Sequence, residues 1–250
     1  GGQASIGSLS IGWLRGVQVA DFSFRGQDGW AQVNVGRITT KPSYASLLSG
    51  SPGLDRTVIE QPRVAIDLRN RPPTASDESS GFDMKSLARL NNVVVHDGSV
   101  QLTDAAGRTV QLAKLDSNVD LRPAGRESKF DVTAVVAQAQ TPGRIGVSGQ
   151  ITPAEEQGWS LKGTTGDVTV EVNDLDLGSV APFLAMAGVQ VQAKGAVSAR
   201  IQGEVQDGRI ETLTAKVVGR GLDVTGDVLQ GERLRTSKLN VQAGLTRSGE

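Results

Sequence analysis

The chain contains no cysteine, which excludes a disulfide framework, a thiolate metal site and a cysteine nucleophile together. A single histidine, His96, is present, so no second imidazole exists to complete a metal site or a histidine relay. Aromatic residues are scarce, at 4%, and any apolar surface must therefore be aliphatic. The longest apolar stretch, Val180 to Val189, is interrupted by Pro182 and is about half the roughly 20 residues that a membrane-spanning helix needs. No charge of one sign dominates either. Lys and Arg number 26 against 27 Asp and Glu, for a net charge of -1, which gives no electrostatic basis for binding nucleic acid or an anionic membrane surface. The opening Gly1-Gly2-Gln3-Ala4-Ser5-Ile6 lacks both an initiator Met and the charged-then-apolar order of a signal peptide. The closing Thr246 to Glu250 follows directly on an alternating run, and both ends are expected to be cuts from a longer protein.

What is abundant is glycine, 31 of 250 residues, against roughly 7% in ordinary proteins, placed between apolar alternations as turn punctuation. Period-2 patterns such as Val17-x-Val19, Phe22-x-Phe24, Val33-x-Val35, Val64-x-Ile66-x-Leu68 and Val168-x-Val170-x-Val172 predict half-buried strands. Asp28-Gly29, Asp97-Gly98 and Asp207-Gly208 predict hairpins, because both residues of such a pair tolerate positive φ. Short helices are predicted near 42–48, where Pro42 precedes Tyr44, Leu47 and Leu48, and near 179–187, with Ser179 as N-cap and Gly188 as the stop. A weaker helical signal runs from Asp83 to Leu90. Residues Asn70 to Gly81 carry two adjacent prolines and no apolar side chain larger than Ala or Pro, and read as a linker or loop. It separates an N-terminal β segment, 1–69, from a continuing β-repeat segment, 82–250. The fold class expected is mainly β, an elongated twisted antiparallel sheet of repeated meander strands with two or three short helices. An internal echo supports repetition: Val17-x-Val19, Phe22-x-Phe24, Val33-x-Val35 matches Val93-x-Val95, Val100-x-Leu102, Val110-x-Leu112.

Chemistry-bearing constellations are missing. His96 precedes Asp97-Gly98 and reads as an exposed turn residue. Asp174-Leu175-Asp176-Leu177-Gly178 has two calcium-loop positions, but neither the third acidic or Asn position nor the distal Glu, and its alternating leucines say strand. Gly143-Arg-Ile-Gly146-Val-Ser-Gly149 and Gly219-Arg-Gly221 miss dinucleotide and P-loop spacings. Trp13, Trp30 and Trp159 could form a sugar-stacking platform or, more commonly, anchor a β core. No residue is assigned a catalytic, cofactor-binding or metal role, and a non-enzyme is expected.

Read in order, Ile6 to Ile11, Gly16 to Phe24, Val33 to Ile38, the Leu47-Leu48-Ser49-Gly50 stop and Val58 to Ile66 with Pro62 inside it resemble the start of an AsmA-like protein. Leu90 to Asp104, with its acidic-Gly turn, and Leu175-Asp176-Leu177 followed by Gly195 to Gly203 resemble later parts of the same family. The resemblance implies an AsmA/TamB-like bacterial envelope protein, related in architecture to bridge-like lipid-transfer proteins. It further implies a parent chain anchored in the inner membrane, extending through the periplasm as a β groove, and serving phospholipid transport and outer-membrane biogenesis. Phospholipid acyl chains are the expected partner, with outer-membrane assembly proteins as further candidates; membrane contact would run through parts of the parent chain outside this segment.

A twisted sheet sends every second side chain to one face, so Val168, Val170 and Val172 with Val197, Ala199 and Ile201 are the candidate groove lining. The same stripes could instead face each other in a closed sandwich with no ligand. A structural or adhesive module binding proteins or glycans is the alternative function.

Overall fold

Alternation of this density leaves the backbone one economical solution, a pleated strand hydrogen-bonded on both sides. The computed structural model describes residues 2–12, 16–42, 54–70, 90–137, 142–154, 162–186, 191–226 and 232–247. They form β1 (Gly2–Ser5), β2 (Ser8–Gly12), β3 (Gly16–Gly26), β4 (Ala31–Pro42), β5 (Leu54–Glu60), β6 (Arg63–Asp67), β7 (Leu90–Thr103), β8 (Thr109–Asp120), β9 (Ser128–Val136) and β10 (Gly143–Thr152). The series continues with β11 (Thr165–Asp176), the helix α1 (Ala181–Met186), β12 (Val191–Gln206), β13 (Arg209–Gly226) and β14 (Arg233–Thr246). All fourteen strands belong to one sheet, ordered β1-β3-β4-β5 and then β7 through β14 in succession, with β2 on β3, and β6 between β4 and β7.

The protein is mainly β, but the sheet is mixed where antiparallel pairing throughout was expected. Both β5 and β6 pair antiparallel with β4 and parallel with β7. A parallel pair requires a crossover of a dozen or more residues, and the stretch between Asn70 and Leu90 supplies that length. The sheet therefore has strands from both sides of the proline-containing segment hydrogen-bonded to each other. Residues 71–89, with most of that segment and the Asp83 to Leu90 signal, lie outside the described residues, as does the helix predicted near 42–48 beyond Pro42.

Asp207-Gly208 turns β12 into β13 with φ of 52° and 72°, and Asp28-Gly29 closes β3 onto β4 through a 3-10 turn. Asp97-Gly98, by contrast, is not a hairpin. β7 runs straight through it, with Asp97 at φ 50° and a register shift against β8 on either side of Gly98. The physical reason lies next door: β5 and β6 break at Gln61-Pro62 at the same level, Gln61 N–H bonding the His96 carbonyl at 2.8 Å and Ser99 N–H the Pro62 carbonyl at 2.8 Å. The interruption is absorbed as a bulge in two aligned strands instead of a reversal. Lys114 in β8 (φ 48°) sits at the matching register shift on β8, whereas Asp21 in β3 (φ 51°) takes positive φ without any shift of register against β4. Bulges of this kind bend a strand and raise its local twist.

α1 starts at Ala181, with Pro182 in its first turn. Ser179 is not its cap. The hydroxyl donates to Asp176 Oδ2 at 3.0 Å, and the Asp176 carboxylate also accepts the Gly178 N–H at 3.0 Å; the acidic residue that ends β11 captures the serine before the helix begins. Below α1 sits the main buried cluster, Leu102, Val110, Val136, Leu175 and Val180, with Phe183 and Val172 packed against it. Residues from β7, β8, β9 and β11 meet there although the sheet order separates them by up to four steps, so the sheet curls around the helix at this end.

Candidate functional site

Residues directly opposed on neighbouring strands project to the same side of a sheet. By that rule the six candidate lining residues share one face: Val170 opposes Ile201 and Val172 opposes Ala199. A shift between Val172 and Leu175 then brings Leu175, not a further β11 valine, opposite Val197. Val168 opposes Gly203, which leaves its outer neighbour position without a side chain.

The face extends far beyond these six. From Val170 one cross-strand row runs through Val147, Val132 and Ser117 to Val95. It continues through Ile59, Ile38 and Val19 to Leu9. In the other direction it passes Ile201 and Ala215 to Ala243 on β14. Ser117 is the one polar residue in the row. One residue further along each strand the opposite face reads Thr39, Val58, Val94, Asn118, Asp131, Ser148, Thr169, Gln202 and Thr214, which is predominantly polar. Ion pairs mark that side, Arg200 with Glu171 at 2.6 Å and Arg37 with Glu60 at 3.5 Å; being exposed, each contributes little to stability.

The apolar face is only partly shielded. All six candidate residues are half-buried, and towards the sheet edges exposure rises, to 42% for Val241 and 59% for Leu245 on β14, and 59% for Leu9 and 76% for Ile11 on β2. Among the described residues only twelve hydrophobic side chains are buried, and the central ones lie under α1. A sandwich of two facing sheets would bury both inner faces. Alternation along β9 and β10 made Val132 and Val147 readable as strand residues, but their place in this row depends on register, for which sequence carries no local signal.

The other candidates stay apart. His96 is exposed on β7 immediately before the bulge, its Nδ1 3.8 Å from Asp116 Oδ1. Asp174 is a bulge residue at φ 50° that accepts from Arg220 and Ser198, while Asp176 serves the turn before α1. Among the described residues no three His, Asp or Glu side chains are grouped as metal ligands. Trp30 is half-buried behind the β3–β4 turn; Trp13 and Trp159 lie outside the described residues. Searches against protein-family models, curated proteins and solved structures found no match to this chain.

Proposed function

We propose that the apolar face of this sheet binds phospholipid acyl chains, and that the chain is a non-enzymatic segment of an AsmA/TamB-like periplasmic protein that carries phospholipid between the inner and outer membranes. The observation that supports this most is the aliphatic row from Leu9 to Ala243, which crosses twelve successive strands with one polar interruption. At about 4.8 Å per strand the row measures roughly 50 Å along its contour. Half of a bilayer's hydrocarbon core, about one acyl-chain length, is about 15 Å thick, so the row is about three acyl-chain lengths long. Methylenes are non-directional partners worth about 0.8 kcal/mol each when buried, which suits a lining of Val, Ile, Leu and Ala that offers no polar selectors. The order of sequence elements described above supports the family.

The test is Val170→Asp, read by native mass spectrometry after gentle purification. Val170 stands between Val147 and Ile201. On an open face its carboxylate reaches water, so the variant stays folded while co-purified phospholipid falls. In a closed core an unpaired charge would instead cost several kcal/mol, on the order of 3 or more. Thr169→Asp on the opposite face is the control and leaves both fold and lipid unchanged. A folded Val170→Asp protein with a full lipid complement overturns the face assignment, and an unfolded one favours a closed core.

A further inference from the structure

Beside the first turn of α1 lies an open cleft of about 400 Å³ lined by Arg108, Ala181, Val191, Lys194, Asp223 and Arg233 among others. One wall is formed by Ala181, which in the chain follows Val180 of the buried cluster. Its rim is cationic. Arg108 comes from the β7–β8 turn and is brought by the curl of the sheet to β12 and β13.

Among the described residues each arginine keeps a donor free. Arg108 binds Asp104 Oδ2 through Nε and Nη2, both at 2.7 Å, and Arg233 binds Asp223 through Nε at 2.7 Å and Nη2 at 2.5 Å, leaving Nη1 of both guanidinium groups without an acceptor among the described residues. Lys194 opposes Asp223 across β12 and β13, but that carboxylate is taken by Arg233, and Lys194 has no ion-pair partner among the described residues. Three cations, Arg108, Lys194 and Arg233, thus face two carboxylates, Asp104 and Asp223, a surplus of one positive charge. A phosphodiester carries one negative charge and can accept from the remaining Nη1 donors of the two guanidinium groups and from a lysine ammonium.

We infer that this cleft holds the phosphate of an anionic phospholipid headgroup whose acyl chains lie on the adjoining apolar face, an assignment that rests on the acyl-chain reading. The net charge of -1 over the whole chain makes this a local device and not a general attraction for polyanions.

The full chain is stripped of lipid and loaded from detergent with phosphatidylglycerol or with diacylglycerol of the same acyl chains, which lacks the phosphate, and loading is quantified by mass spectrometry. Phosphatidylglycerol is expected to load about tenfold better or more, the scale of one charge-assisted hydrogen bond. Lys194→Glu, an exposed position, brings it down to the diacylglycerol level without changing diacylglycerol loading, and Lys194→Arg retains the preference. Equal loading of the two lipids by the native chain, or an unchanged preference in Lys194→Glu, overturns the headgroup site and leaves the acyl-chain reading standing. Loading of neither lipid overturns both. Calorimetry with glycerol phosphate separates the sources: tight binding without acyl chains, lost in Lys194→Glu, identifies a soluble phosphate ligand and overturns the headgroup assignment.

Discussion

Asp104 is 3% exposed at the end of β7, and a buried carboxylate needs a reason to remain charged. Burial pushes its pKa up, but the Arg108 backbone N–H at 2.9 Å, the Arg108 guanidinium at 2.7 Å, the guanidinium charge and the Ala106 N–H together hold it below the ordinary carboxylate value. A folded-state pKa below the unfolded one means that the ionised form stabilises the fold above about pH 4, the unfolded Asp value, and that this contribution is lost as pH falls through the lower folded value. Asp104→Asn should therefore lower stability at pH 7 by about 1–3 kcal/mol, the range for a buried charged hydrogen bond, with the gap to the native chain closing below pH 4. Urea titrations across pH 3 to 7 measure it, and a gap that does not depend on pH would assign the loss to shape and not charge. Little of this was legible beforehand. The sequence places Asp104 at the end of an alternating run, but its burial and its partner four residues on depend on how tightly the β7–β8 turn closes. The valines of β11 were legible, because period-2 alternation fixes which of them share a face whatever the partner strand is.

At the scale of elements, the two Asp-Gly pairs that fold differently define the limit. Asp97-Gly98 and Asp207-Gly208 have the same local preference and both adopt positive φ at Asp, yet one bulges and the other reverses the chain. The choice is made by β5 and β6, whose break at Gln61-Pro62 is distant in sequence. The β12–β13 irregularity relies on glycine. Gly195 in β12 has φ 105°, and a Cβ there would lie 2.5 Å from the Gly221 carbonyl oxygen and 2.7 Å from that of Arg220. Gly195→Ala should therefore cost about 1–3 kcal/mol or more, whereas Gly244→Ala on β14, with nothing within 4 Å of the added methyl, should stay within about 0.5 kcal/mol of the native chain. Denaturant midpoints compare them. Equal midpoints would mean that the β12–β13 irregularity dissolves at no cost and does not shape the sheet.

For the whole molecule, strand content was legible and layering was not, because a strand alternates identically whether its apolar face meets a second sheet, a ligand or water. The parallel pairing of β5 and β6 with β7 was hidden for a related reason: it depends on where the chain re-enters the sheet after residue 89. Heat capacity reports the layering directly, since unfolding raises it by about 0.45 cal/K/mol for each Å² of apolar surface newly exposed to water. Fully packed domains average about 12–15 cal/mol/K per residue, or roughly 3–4 kcal/mol/K for this chain of 250 residues. With lipid removed, a face already wet in the native state contributes nothing on unfolding, so calorimetry of the stripped protein should give a value clearly below that range. Adding phospholipid below the concentration at which it forms bulk phases should raise both the heat-capacity change and, by mass action, the Tm in a concentration-dependent way. A stripped protein that already reaches 3 kcal/mol/K or more, as a packed domain of this length would, has its aliphatic row covered by protein, and the acyl-chain reading of that row would then fail.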